Sequence, residues 1–135
     1  RVEIVPLEWS ALKSRTFRGD FDMAYFTWIA DYPEPENFFY PLFYSRNAGA
    51  GGNRSFYRSA DVDRLIETAR RATNRQKRFD IYRRIEGIIL NEAPWIFLWY
   101  ADKRIALGSR VKDYTPYPIF SGFKGNHITL REERK

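Results

Sequence analysis

The sequence predicts an α/β fold, on three observations. Phe21 to Ile29 (FDMAYFTWI) is rich in aromatic and β-branched residues, with no charge after Asp22, which is strand chemistry. Asp61 to Ala72 places Val62, Leu65, Ile66, Ala69 and Ala72 on one helical stripe. Trp95 to Tyr100 (WIFLWY) is a second apolar run of strand length.

In chain order, Val2 to Leu7 opens as a strand, with Val2 and Ile4 alternating against Glu3, and Pro6 confines its end to an edge. Glu8 to Arg18 follows as a helix with Trp9, Leu12 and Phe17 inward, and Gly19 stops it. Next comes the core strand, Phe21 to Ile29. Strand, helix and strand of these lengths predict a right-handed βαβ unit with parallel strands, hence a small mixed sheet flanked by helices. Pro33 and Pro35 end the strand abruptly and leave Asp31 at its C-terminal tip, just after Trp28. Pro35 to Tyr44 is expected as a short helix interrupted at Pro41, and Ser45 to Ser55, with Gly49, Gly51 and Gly52, as a mobile loop.

The stripe over Asp61 to Ala72 is the first of two helices. Thr73 and Gln76 form a T-x-x-Q capping box that starts the second, which runs to Asn91. Its inner face is Phe79, Ile81 or Tyr82, Ile85, Ile88 and Ile89; its outer face carries Arg75, Lys77, Arg78, Arg83 and Arg84. So short a link predicts an αα-hairpin. Pro94 ends the second helix, and Trp95 to Tyr100 is expected as a buried strand. Lys103 to Leu107 is a further candidate strand, and Ile128 to Leu130 a last short one before a charged end.

Composition narrows the function classes. The 135 residues carry 23 basic and 17 acidic side chains, a net charge of +6, and no cysteine. That excludes a thiol nucleophile and a thiolate metal site. Ser10, Ser14, Ser45, Ser55, Ser59, Ser109 and Ser121 lie in no G-x-S-x-G elbow. The glycine loop is neither a dinucleotide fingerprint nor a phosphate-binding P-loop, and the one histidine, His127, reads as a surface residue. The sequence therefore reads as a non-enzyme with no cofactor. Glu34 and Glu36, divided by prolines, read as turn residues rather than a glycosidase pair or hard-cation site. Basic charge invites a nucleic-acid reading through Arg75 to Arg84. The aromatics, however, lie in apolar runs instead of between bases, and no RNA-binding or zinc-finger motif appears, so no nucleic-acid partner is expected.

Asp31 is the candidate site residue. Ligands of open α/β sheets bind outside the carboxyl ends of strands. A carboxylate there can either bond its own turn or hold a ligand cation such as an amine. Trp28, three residues before it, is the aromatic best placed to shape a pocket.

Several motifs occur together in order. They are Phe21-Asp22-x-Ala24; Trp28 to Pro35; a helix opening on Asp63-x-Leu65 and closing on Ala69-Arg70; Lys77-Arg78 leading to Tyr82; Ala93-Pro94 before an apolar run; and Arg110 to Tyr114. With this set the chain resembles the C-terminal lobe of the peptide/nickel-type (oligopeptide- and dipeptide-binding) solute-binding proteins of ABC transporters. The resemblance spans nearly the whole chain. It implies part of a bilobal, periplasmic-binding-protein-like (type II) fold that closes on its ligand by a hinge. Residues 1–110 would form the ligand-binding lobe, and 111–135 would pack on an N-terminal lobe outside this sequence.

The resemblance also implies a function: substrate capture for an importer in the periplasm or at a lipid anchor, working with permease and ATPase subunits. Asp31 falls on the acid that holds a peptide's free amine. The backbone from Thr27 through Trp28 and Ile29 to Ala30 falls on the segment that pairs with an extended peptide. Trp9, Trp28 and Trp99 or Tyr100 fall on pocket-lining aromatics. Tyr25 stands where some members place an arginine for the peptide carboxylate. Thr27 replaces the usual glycine before the tryptophan, and Phe97 replaces a proline. Relatives in this family also carry sugars or nickel chelates, so the class of solute stays open at this point.

Overall fold

The computed structural model describes residues 1–100, 102, 104–114 and 128–131. Four helices dominate: α1 (Trp9–Phe17), α2 (Glu36–Phe43), α3 (Ala60–Arg71) and α4 (Arg75–Glu92). Two short strands, β1 (Val111–Lys112) and β2 (Thr129–Leu130), form an antiparallel pair in which Val111 faces Leu130. The coarse reading, a small mixed α/β unit with a last strand near Thr129, holds.

α3 and α4 form the expected helical hairpin, and α2 lies across it. The predicted stripe is the core: Val62, Leu65, Ile66 and Ala69 of α3 meet Tyr82, Ile85 and Ile89 of α4, with Leu42, Phe43 and Tyr44 from the end of α2. Phe79, Ile81 and Ile88 lie half-buried beside it. Phe39 of α2 stacks on Tyr82 of α4, their centroids 5.5 Å apart and the rings within 10° of parallel.

Helix ends follow local chemistry. Ser59 caps α3. The start of α4 corrects the capping-box expectation: Asn74, not Thr73, is the cap, and its Oδ1 accepts the Lys77 N–H at 3.0 Å. Asparagine is at least as good a cap, and it sits at the spacing that reaches that N–H. The Gln76 amide instead donates to Asp80 at 3.0 Å. α1 is capped by Glu8, whose carboxylate accepts the Ser10 hydroxyl and, at 2.7 Å, the Ser10 N–H, and so stays below its usual pKa. Gly19 ends α1 as expected, at φ +73°. Helix α2 is not interrupted at Pro41: it runs through the proline from Pro35 at its cap.

The expected strands at Val2–Leu7, Phe21–Ile29 and Trp95–Tyr100 form no ladder among the described residues, so the βαβ unit is not formed there. Nor are they buried: Met23, Tyr25 and Ile29 are exposed, as is everything from Ile96 to Tyr100. A strand needs a hydrogen-bonded neighbour, and no described segment supplies one. Of the side chains in these segments, those of Trp28 and Trp95 reach the core, Trp95 with its ring 5.2 Å from that of Phe43. The candidate strand from Lys103 lies partly outside the described residues, as do His127 and most of the 111–135 segment.

The glycine loop also departs from expectation. Two 3₁₀ turns, Ser45–Asn47 and Gly49–Gly51, fold it against α1 and α2. Asn53, fully buried, bonds through its amide to the Tyr44 and Tyr57 carbonyls and through Oδ1 to the Tyr57 N–H. Gly49 and Gly52 have positive φ, and a Cβ would lie 2.6 Å from the Phe17 carbonyl oxygen at the first and 2.7 Å from that of Pro41 at the second. Close backbone approach, rather than freedom to move, is why glycine stands there.

Candidate functional site

The bend Asp31–Glu34 joins the extended segment to α2, and three side chains of α2 and its neighbours fix it. Asn37, in the first turn of α2, is 8% exposed. Its Oδ1 accepts the Asp31 N–H at 2.8 Å, and its main-chain oxygen accepts the Trp28 indole N–H at 2.8 Å. Glu36 bonds the Tyr32 hydroxyl and pairs with Arg70 at 3.0 Å, and Arg70 covers the Tyr40 ring at 3.8 Å. Glu34 pairs with Arg78 at 3.4 Å. The Tyr32 pKa is raised, chiefly by its bond to Glu36.

Both turn acids are therefore held by arginines. Asp31 is different. Its side chain is exposed and forms no ion pair among the described residues. The main chain of Thr27, Ile29 and Ala30 forms no hydrogen bond among them either. A carboxylate and a run of amide and carbonyl groups with no hydrogen bond among the described residues thus sit side by side, tied to α2 through Asn37. Chemically the arrangement can hold a cation at Asp31 and pair with an extended chain along Thr27 to Ala30.

The other sequence candidates divide. Trp28 is half-buried against the core, and its N–H is already used. Ala30 is buried; Thr27 and Ile29 are exposed. Tyr25 and Trp99 come together, their ring centroids 6.0 Å apart, and both are exposed. Trp9, also exposed, packs its ring 6.0 Å from Phe26. Tyr100 is 98% exposed and touches no described site residue through its ring. Sequence reasoning missed Asn37 and Arg54. An asparagine directly after the Pro33–Glu36 turn was the available signal for the first. Arg54 lies over the rings of Phe26 at 4.5 Å and Phe17 at 5.4 Å, and its Nε is buried with no hydrogen-bond partner among the described residues; burial holds its pKa down.

The basic face of α4 holds an open hollow of about 300 Å³ lined by Arg75, Gln76, Phe79 and Arg83. Arg75 stacks on Phe79, and Arg83 pairs with Asp80 at 3.1 Å. None of the candidate ligand residues lines it.

No protein-family model matches the chain. Among curated proteins it is similar to a probable D,D-dipeptide-binding periplasmic protein of Escherichia coli (strain K12), 29% identical over 87% of this chain and 23% of that protein. It is 31% identical to heme-binding protein A of Haemophilus influenzae over 90% of this chain and 22% of that protein. It is 29% identical to di/tripeptide-binding protein 2 of Pseudomonas aeruginosa over 88% and 22% respectively. The chain spans less than a quarter of the length of these relatives.

Proposed function

Starting from the chain's similarity to dipeptide- and tripeptide-binding proteins of bacteria, we propose that it is part of the solute-capturing component of a peptide importer. In this reading Asp31 holds the free amine of a short peptide, and the main chain from Thr27 to Ala30 pairs with the peptide backbone. The observation that carries it is the contrast at the bend: Glu34 and Glu36 pair with Arg78 and Arg70, and Asp31 has no ion-pair partner among the described residues. Trp9, Tyr25, Trp99 and Tyr100 would shape side-chain space. Residues 1–110 would belong to one lobe of a hinged, bilobal receptor and 111–135 to its contact with the other. Its place would be extracytoplasmic, with permease and ATPase subunits as partners. Among the described residues no helix is long and apolar enough to cross a membrane.

Calorimetry on the full-length protein with trialanine and N-acetyl-trialanine tests this. Free trialanine binds more tightly, and Asp31→Asn lowers its affinity at least about tenfold, about 1.4 kcal/mol. Equal affinity for the two peptides would remove the amine role of Asp31. A second reading keeps the site and changes the solute. The exposed Tyr25–Trp99 pair offers aromatic faces to a planar or sugar-like ligand, and one relative is named for binding heme. In that case Trp99→Ala, and not Asp31→Asn, abolishes binding.

A further inference from the structure

Asn37 is one of three buried polar residues among those described, the others being Thr16 and Asn53. Its hydrogen bonds run toward the candidate site. The side-chain oxygen takes the Asp31 N–H, and the main-chain oxygen takes the Trp28 indole N–H. Its own N–H donates to the Glu34 carbonyl at 3.1 Å, which closes the bend on itself. The helix that carries it is fixed by Leu42 and Phe43 in the core. One buried residue thus sets the peptide plane leading into Asp31 and the plane of the Trp28 ring relative to each other. Both would otherwise sit on an extended segment with no ladder to hold it.

We propose that Asn37 is the positioning residue of this site. It touches no ligand; it holds the Asp31 backbone and the Trp28 indole so that carboxylate and aromatic wall present one geometry to an amine-bearing peptide. The inference rests on the peptide reading of Asp31. Preorganisation of this kind matters because a site loosened by even a small displacement loses affinity without losing any contact group.

The test compares Asn37→Ala with Asn37→Asp in the full-length protein. The aspartate keeps an acceptor for the Asp31 N–H; the alanine removes it. Two readouts are taken: the ratio of affinities for trialanine and N-acetyl-trialanine, and hydrogen exchange of the Asp31 amide and the Trp28 indole N–H without ligand. Asn37→Ala speeds exchange of the Asp31 amide about tenfold and reduces the preference for the free amine about tenfold; Asn37→Asp restores both to near the parent values. The indole N–H, bonded to the main chain of residue 37, is protected in both variants as long as the first turn of α2 stays formed, so its loss in Asn37→Ala marks general loosening. Asn37→Asp, with the isosteric side chain, then carries the comparison. Unchanged exchange at Asp31 in Asn37→Ala overturns the positioning role. A parent protein with no preference for the free amine overturns the peptide reading instead, and altered exchange then still assigns the positioning to Asn37.

Discussion

Arg78 Nη2 lies 3.4 Å from each carboxylate oxygen of Glu34, although the two residues are 44 apart in the chain. Both side chains are half-buried. The pair ties the bend that carries Asp31 to the first turns of α4. It acts beside the Arg70–Glu36 pair, which ties the same bend to α3. A double-mutant cycle with Glu34→Gln and Arg78→Met gives a coupling of about 1 kcal/mol, smaller at high salt. A coupling of zero in denaturant titrations would mean that solvent already screens the pair.

Tyr82 packs its ring in the core, yet its hydroxyl has no hydrogen-bond partner among the described residues. Removing an unpaired buried hydroxyl relieves a desolvation cost and keeps the stack on Phe39. Tyr82→Phe therefore leaves stability unchanged or raises it by up to about 1 kcal/mol. Chemical denaturation measures this; a clear loss of stability would reveal a partner for that oxygen.

Alkali acts through two tyrosines. Burial pushes both Tyr57 and Tyr82 up to about 12, from the ordinary 10.0; a bond to Glu92 adds to the shift of Tyr57, and the nearby Glu36 charge to that of Tyr82. Below the ordinary value both states keep their phenolic protons, and the contribution to stability is full. As pH rises from about 10 toward about 12 the unfolded chain loses these protons first, so stability falls. Urea midpoints at about pH 9 and about pH 11 show the drop, and a Tyr57→Phe, Tyr82→Phe double variant flattens it. An equal drop in that variant would place the titrating groups elsewhere.

Asn53 satisfies both faces of its amide inside the protein. It donates to Tyr44 at 3.3 Å and Tyr57 at 2.9 Å, and accepts from Tyr57 and the Ser55 hydroxyl at 3.1 and 3.2 Å. Asn53→Ala leaves the Tyr57 carbonyl and N–H without the side chain that meets them, while the Tyr44 carbonyl keeps the Asn47 N–H, and costs about 2 kcal/mol in the unfolding free energy. Asn53→Asp is no rescue, because it turns the donor that meets two carbonyls into an acceptor. A cost below about 1 kcal/mol would mean that water fills the gap.

Ile96 to Tyr100 and Met23 to Ile29 display apolar side chains along main chain that has no ladder partner among the described residues. Such edges invite pairing with another chain. The 135-residue chain produced by itself self-associates with rising concentration, and Ile96→Lys with Leu98→Lys reduces this. Light scattering after gel filtration measures it; a monomer at all concentrations would contradict the exposure of these edges.

The helical half of the molecule was legible because its signal is local. The stripe at Val62, Leu65, Ile66 and Ala69 needs only its own spacing, and it meets a partner, Tyr82 to Ile89, a short turn away. The strands were not legible to the same degree. The composition of Phe21–Ile29 records what the segment can pair with, and pairing depends on a neighbour that spacing along one chain does not supply. Asp31 was visible as an acid at a proline bend. Its difference from Glu34 and Glu36 was not, because Arg70 and Arg78 reach them from distant helices. Asn37 was hidden for the same reason: its value lies in two hydrogen bonds to other residues, not in its type.

The stretch from Ser45 to Ser55 would attract an engineer looking for a harmless place to splice in an epitope tag or a protease recognition sequence. Its glycines press against the carbonyls of Phe17 and Pro41, and its asparagine is locked from all sides. Extra residues there would lift the loop off the end of α1 and off α2, so permissive grafting points must be sought elsewhere on the surface.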